Sequence, residues 1–335
     1  MTMISSLDAR TLASPLTGPA VHDVELSVVV PAYNEALSIG TLIEQLDTVL
    51  AALGASSEIV IVDDGSADGT WAALRDAVRR YPRLVGVTLS RNFGHQGALL
   101  AGLSRARGRA IVSMDADLQH PPSVIPTLYE AWKDGAQVVR TIRRDAGVTS
   151  PFKRLTSKHF YGVFSFLTDI PMSEGMSDFR LLDRRVLDEL LRLRNRDLFL
   201  RGSVEWLGYR TVTIPFDVAA RHAGESKYTL RRMLRFASGA VVSFSSKPLK
   251  LGVWAGLCTG FIALAELGYV VVQYVRGETV PGWASLAALV SFLFGVMFVV
   301  LGIIGTYIAR IHEILQNRPP FVIADSTDRR DVRER

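Results

Sequence analysis

A single cysteine, Cys258, stands in the 335 residues, so no disulfide can form within the chain, and a reducing compartment suits it. Internal repeats and low-complexity tracts are missing, which excludes a repeat array. Met1 to His22 contain Ser, Thr, Pro and Ala without an apolar core, so residues 1–23 read as a mobile tail and not as a signal peptide. Signatures of RNA- or DNA-reading modules are also missing, and nucleic acid is set aside as a partner. A net charge of +5 and a pI near 9.4 then point to another anion, a phosphate ligand or a membrane surface. Long charge-free apolar runs are absent before Leu251, and the chain up to that point has the character of a soluble protein.

Within that part, apolar strands alternate with helical patterns. Leu26 to Val30 is a short apolar strand, stopped by the loop Pro31-Ala32-Tyr33-Asn34-Glu35. Ile39, Leu42, Ile43, Leu46, Val49 and Leu50 then recur at helical spacing. A second strand, Glu58 to Val62, runs into Asp63-Asp64-Gly65-Ser66-Ala67-Asp68, where Ser66 or Asp68 can cap a helix reaching about Arg80. Leu84 to Leu89 is a third strand, and the helix after it carries Leu99, Leu100 and Leu103. This alternation predicts right-handed βαβ units and a mostly parallel sheet. Further strands are expected over Ala136–Thr141, Ser177–Leu182 and Tyr209–Phe216, and helices over Ser123–Trp132, Lys153–Leu167 and Arg184–Leu193.

The chemistry gathers where the apolar run Ile111 to Met114 gives out into Asp115-Ala116-Asp117-Leu118-Gln119-His120-Pro121-Pro122. In open α/β sheets, ligands collect at the carboxyl ends of strands. Two carboxylates there repel each other and need a cation, a proton or good solvation. Mg²⁺ or Mn²⁺ held jointly by carboxylates and substrate phosphates is the usual solution. His95 and His120 have no visible nucleophile partner and read as structural.

Pro31 to Glu35, Asp63 to Ser66 and Asp115 to Gln119 stand in the order and approximate spacing of family 2 glycosyltransferases. From about Leu26 to Val322, including the Arg-Pro-Pro-Phe-Val ending at 318–322, the chain resembles the polyprenyl-phosphate glycosyltransferases. These are relatives of dolichyl-phosphate mannose synthase with a C-terminal membrane hairpin. The resemblance implies an α/β GT-A nucleotide-sugar domain over residues 24–227. It implies that Pro31, Tyr33, Glu35 and Asp63 hold the nucleoside of a UDP- or GDP-linked sugar, with Asp115 and Ala116 along the nucleotide. Asp117 and Gln119 match metal-binding positions, with Asp115 beside them. Arg143, Arg154, Arg221 and Lys227 are candidates for phosphate contact, and Asp178 resembles a residue proposed as a base. Asp117, Asp178, Arg221 and Lys227 are therefore the expected catalytic set. The implied reaction is inverting transfer of one sugar, glucose or mannose, from the nucleotide to polyprenyl phosphate at the cytoplasmic membrane face. A homo-oligomer is left open. A processive polysaccharide synthase would carry a Gln-x-x-Arg-Trp segment and more spans, whereas Leu200-Arg201-Gly202 stands in about that region. An inactive scaffold or lipid-flipping subunit would not need both Asp115 and Asp117.

Leu251 to Val275 and Trp283 to Ile308 are each long enough to cross the ~30 Å hydrocarbon core of a bilayer, and the short link between them makes a hairpin over residues 249–309. Lys247, Lys250, Arg310 and Arg318 flank its outer ends, against Arg276 and Glu278 in the link, which assigns the large domain and the tail 310–335 to the cytoplasm. Glu266, alone in the first span, is expected to face a partner helix or a protein-lined cavity. Before the hairpin, residues 228–248 read as an interfacial helix, with Leu230, Met233, Leu234, Ala237, Val241 and Phe244 on one face and Arg231, Arg232 and Arg235 off it. Each cation near an anionic surface is worth on the order of 1 kcal/mol. Reversal of Arg231, Arg232 and Arg235 to Glu is therefore predicted to weaken activity on membrane-embedded acceptor ~10-fold or more, and on a short soluble acceptor much less. Assays with both acceptors check this; equal losses would point to a folding defect.

Overall fold

The computed structural model describes residues 24–144, 176–193, 200–217, 245, 247–277 and 282–328. The strands are β1 (Leu26–Ala32), β2 (Ser57–Asp63), β3 (Leu84–Leu89), β4 (Ala110–Ser113), β5 (Val138–Arg144), β6 (Met176–Asp183), β7 (Thr211–Asp217) and β8 (Ile323–Ser326). They form one sheet in the order β7-β5-β6-β4-β1-β2-β3-β8. The helices are α1 (Ile39–Leu53), α2 (Thr70–Ala77), α3 (His95–Arg105), α4 (Ile125–Lys133), α5 (Arg184–Arg192), α6 (Leu200–Trp206), α7 (Lys247–Arg276) and α8 (Trp283–Leu315).

The central strands carry apolar residues on successive positions, Val28 to Val30, Ile59 to Val62 and Ala110 to Val112, because both faces of the sheet are covered. Val28, Val30, Ile59, Ile61 and Val112 pack with α1 and α4 on one face. Their neighbours Val29, Val60, Val62 and Ile111 pack with α3 and α5 on the other. Strands β3, β2, β1 and β4 run parallel, as the strand–helix alternation predicts. Two flanking strands do not. β6 lies antiparallel between β4 and β5, and β8 lies antiparallel to β3. Apolar patterning fixes the period of a strand and not its direction, so neither reversal is visible in the pattern.

β8 also corrects the reading of residues 310–335 as a tail only. After the second apolar helix, the chain returns and adds a fourth strand to the β1-β2-β3 edge. Val322 O accepts from Ser90 N at 2.9 Å, and Thr327 N donates to Gly86 O at 2.9 Å. Phe321 and Ile323 pack against the core on the α3 side. Both α7 and α8 hold segments long and apolar enough to cross a membrane. Among the described residues, nothing lies within 4 Å of a Cβ added at Gly302 or Gly305. The expected helices over Lys153–Leu167 and in the basic stretch around Arg231 lie outside the described residues.

α3 approaches the sheet most closely at Gly102. A Cβ there would lie 2.4 Å from Val29 Cγ1 and 3.0 Å from Val62 Cγ2. Gly102→Val is predicted to destabilise the domain by about 1–3 kcal/mol or more, because buried valines of two strands must move apart. The fall in the thermal unfolding midpoint of the detergent-solubilised protein measures it.

Candidate active site

Register aligns Ala32 of β1 with Asp63 of β2, and Val29 of β1 with Ser113 of β4. Three parallel strands thus release their chains at one edge, and the acidic motifs emerge together. Asp63 is buried, its Oδ1 accepting from Ser66 N at 3.1 Å and its Oδ2 from Thr88 Oγ1 at 2.8 Å. Asp64 faces the loop after β3, accepting from Phe93 N at 2.7 Å and Gly94 N at 2.9 Å. Burial pushes the Asp64 carboxyl above its ordinary range, against the pull of those two N–H groups. Gly65 has φ +64°, and a Cβ there would sit 2.5 Å from the Arg91 carbonyl carbon, so both conformation and space call for glycine.

The loop after β1 is stitched to the loop after β2. Asn34 N donates to Ser66 Oγ at 2.8 Å, and Asn34 Oδ1 accepts from Ala67 N at 3.0 Å. Glu35 N donates to Thr70 Oγ1 at 2.9 Å, and Ser38 Oγ hydrogen bonds the Glu35 carboxylate. The N-cap of α2 is Gly69, neither of the two expected residues, although Asp68 Oδ1 just before it accepts from Thr70 N at 2.9 Å. Pro31 is buried at the end of β1, while Tyr33 leaves about half its surface exposed.

β4 ends at Ser113, one residue before the expected limit, and Met114 is buried beyond it. Ala116 is buried, and Leu118 takes a left-handed φ of 60°, turning the chain so that Gln119 N donates to Asp117 Oδ1 at 3.1 Å. His120 is fully buried; its Nδ1 accepts from Asp115 N at 3.0 Å and its Nε2 lies 2.8 Å from Ser177 Oγ. An accepting Nδ1 makes the ring a neutral Nε2–H tautomer that donates to Ser177. Burial, reinforced by the charge of Arg143, pulls the imidazole down to about 4. His120 therefore holds the acidic loop, as a structural reading requires.

His95, the first residue of α3, points its Nε2 at two carboxylates, 3.5 Å from Asp115 Oδ1 and 3.5 Å from Asp178 Oδ2. Burial alone would lower its pKa, but Asp178 and Asp115 raise it above the ordinary value. It thus touches the candidate site directly, more than its structural reading from sequence allows. Asp178 is also gripped by Arg201, whose Nε and Nη2 reach Oδ1 and Oδ2 at 2.7 and 2.6 Å, and by Arg180 Nη2 at 2.9 Å. Against the cost of burial, these partners hold its carboxyl well below the usual carboxylate range. Asp115 Oδ1 and Gln119 Nε2 are buried and have no hydrogen-bond partner among the described residues. Asp115 Oδ1 is a hard oxygen of the kind that Mg²⁺ or Mn²⁺ favours, whereas Gln119 Nε2 is an N–H donor and only the amide oxygen could ligate a cation.

Pro31, Tyr33, Glu35, Asp63, Asp115, Ala116, Asp117 and Gln119 thus share one edge of the sheet. Arg143, on β5, lies close enough for its charge to act on Asp115 and His120. Asp178 joins the cluster through His95. Arg154, Arg221 and Lys227 lie outside the described residues. Sequence reasoning missed Arg201, Gln96 and Thr88. Arg180 and Asp178 alternate on one strand, and their pairing is the structural alternative to a catalytic Asp178 that the sequence already offers; Arg201 and Gln96 come from distant segments and gave no signal.

The profile of glycosyl transferase family 2 matches residues 27–191. An uncharacterized glycosyltransferase of Bacillus subtilis is 38% identical over 306 residues, covering 90% of this chain and 94% of its own. A bactoprenol glucosyl transferase of prophage origin from Shigella flexneri is 33% identical over 304 residues, covering 90% and 98%. Among solved structures, mannosyl-3-phosphoglycerate synthase from Rubrobacter xylanophilus overlays with a TM-score of 0.44 at 18% identity, covering 68% of this chain and 74% of that one. With identity sustained across nearly the full length of both relatives, the chain belongs to glycosyl transferase family 2.

Proposed function

We propose that this protein transfers one sugar, with inversion, from a nucleotide sugar to a polyprenyl phosphate at the cytoplasmic face of a membrane. One observation carries the reading: Asp63, Asp115 and Asp117 converge at the ends of parallel strands in a sheet whose last strand follows an apolar helix pair. An acidic, rigidly stitched rim suits a nucleotide sugar, and a membrane hairpin suits a lipid acceptor. The Shigella relative, a bactoprenol glucosyl transferase matched over 98% of its length, supports the lipid acceptor and favours glucose.

Within this reading, Pro31, Tyr33, Glu35 and Asp63 receive the nucleoside, with the exposed Tyr33 ring available for stacking. Asp115, Asp117 and Gln119 would hold the divalent cation, Mg²⁺ or Mn²⁺. When bound, that cation offsets charge on the leaving diphosphate. Arg143, with Arg154, Arg221 and Lys227, supplies positive charge to phosphate oxygens. The acceptor is a phosphate monoester already ionised at neutral pH, so its oxygen attacks the sugar C1 without a strong base.

The tail strand bears on topology. β8 pairs with β3, which supports a hairpin whose two ends, before α7 and after α8, lie on one side of the membrane. Lys247, Lys250, Arg310 and Arg318 at the domain-side ends support the cytoplasm as that side.

Two measurements test the proposal. Asp117→Ala should abolish formation of organic-extractable labelled product from UDP-glucose or GDP-mannose and polyprenyl phosphate, with the fold retained, because substrate diphosphate and Asp117 share the cation. Full activity in EDTA would remove the metal from the mechanism. Cysteine labelling in intact cells should modify residues 277–282 from outside, and positions beyond Arg310 only after the membrane is opened. Labelling of both from the same side would overturn the hairpin.

A further inference from the structure

The neighbours of Asp178 assign it a different role from that of a base. β4 and β6 pair antiparallel with Ser113 opposite Arg180. Extending that register by two residues sets Asp115 across from Asp178, and His95 Nε2 lies 3.5 Å from each carboxylate. Asp178 has two oxygens with about two acceptor positions each. Oδ1 accepts from Arg201 Nε and Arg180 Nη2, at 2.7 and 2.9 Å. Oδ2 accepts from Arg201 Nη2 and Gln96 Nε2, at 2.6 and 3.3 Å, with His95 beside it. The acceptor positions are filled, so a proton could enter only by displacing Gln96 or by breaking an arginine hydrogen bond.

Two guanidinium groups therefore share one carboxylate. Arg180 is buried with the carboxylate, whereas the Arg201 side chain is 36% exposed where that of Asp178 is 5% exposed. The Arg201 charge is felt at Asp115 and at His120, within the candidate site. A planar guanidinium oriented by a buried carboxylate and partly open at the site is suited to a phosphate oxyanion.

We propose that Arg201 is a phosphate-binding residue of the transfer site and that Asp178 is its positioning residue, not the proton acceptor. The inference rests on the transferase reading above. The ionised acceptor leaves no proton for Asp178 to take, and bidentate anchoring fixes Arg201 without further ordering when substrate arrives.

A double-mutant cycle tests it, using the nucleotide sugar that the wild type turns over. Arg201→Gln and Asp178→Asn should each lower kcat/KM by ~10²-fold. The double variant should lose little more than the worse single one, because Asp178 acts through Arg201. Arg201→Lys should recover part of the loss, and the pH–rate profile of Asp178→Asn should keep the wild-type shape. A rise in donor KM assigns the sugar diphosphate as the bound anion; a rise in acceptor KM assigns the lipid phosphate. Multiplied losses of ~10⁴-fold, or loss of the acidic limb in Asp178→Asn alone, would overturn the proposal in favour of a base. If Asp178→Asn does not fold, Asp178→Glu completes the same cycle. Calorimetric titration with inorganic diphosphate and Mn²⁺ reads Arg201 without turnover. Binding at least ~10-fold weaker in Arg201→Gln is expected, and unchanged binding counts against the proposal. A wild type that turns over no sugar nucleotide would sink the transferase reading while leaving that titration to judge Arg201.

Discussion

Asp115, just past the end of β4, and Asp178 of β6 both lie 3.5 Å from His95 Nε2, and like charges held that close are costly unless something neutralises them. His95, Arg180 and Arg201 meet that demand from three different elements, α3, β6 and α6. Their convergence ties the two sides of the sheet to a single charge cluster. Breaking one member of such a buried network leaves an uncompensated charge, which costs far more than the intact pair contributes. The cluster is accordingly a specification of geometry more than a source of net stability. It also orients α3, whose first residue is one of the neutralising groups.

The neighbouring pair Asp63-Asp64 divides its labour differently. Asp63 turns toward Ser66 and Thr88, inside the rim. Asp64 turns the other way and accepts from two N–H groups of the loop after β3, Phe93 and Gly94. With Asn34 bridging to Ser66 and Ala67, three loops from three strands are held by one another. Loops ordinarily move more than the elements they join. Here the side-chain bonds set the rim before any ligand arrives, which lowers the ordering cost of binding.

The parallel core and the acidic edge were legible because both follow from short-range chemistry. Continuous apolar runs at Leu26, Glu58 and Leu84 onward demanded burial on both faces, and the carboxylates had to fall where those runs stop. The antiparallel β6 was visible as a strand but not in its direction. β8 escaped notice because four residues, Ile323 to Ser326, follow Pro319 and Pro320 with no period long enough to read. Arg201 escaped for another reason. Its partner Asp178 is 23 positions away, and only the fold brings the two together. His95 was misjudged in the same manner, since its two carboxylates lie 20 and 83 positions downstream.

The pairing of β3 with β8 sets an order of events during biosynthesis. About 240 residues separate Leu89 from Ser326, and both long apolar helices lie between them. At ~5–20 residues per second, a ribosome needs roughly 10 to 50 s to deliver β8 after β3 has emerged. Over that interval the apolar strand Leu84–Leu89 presents a bare edge, and bare edges recruit other strands. Because β8 follows both long apolar helices in the chain, the edge stays open until they have been made. A chain that stops short of β8 therefore keeps an open sheet.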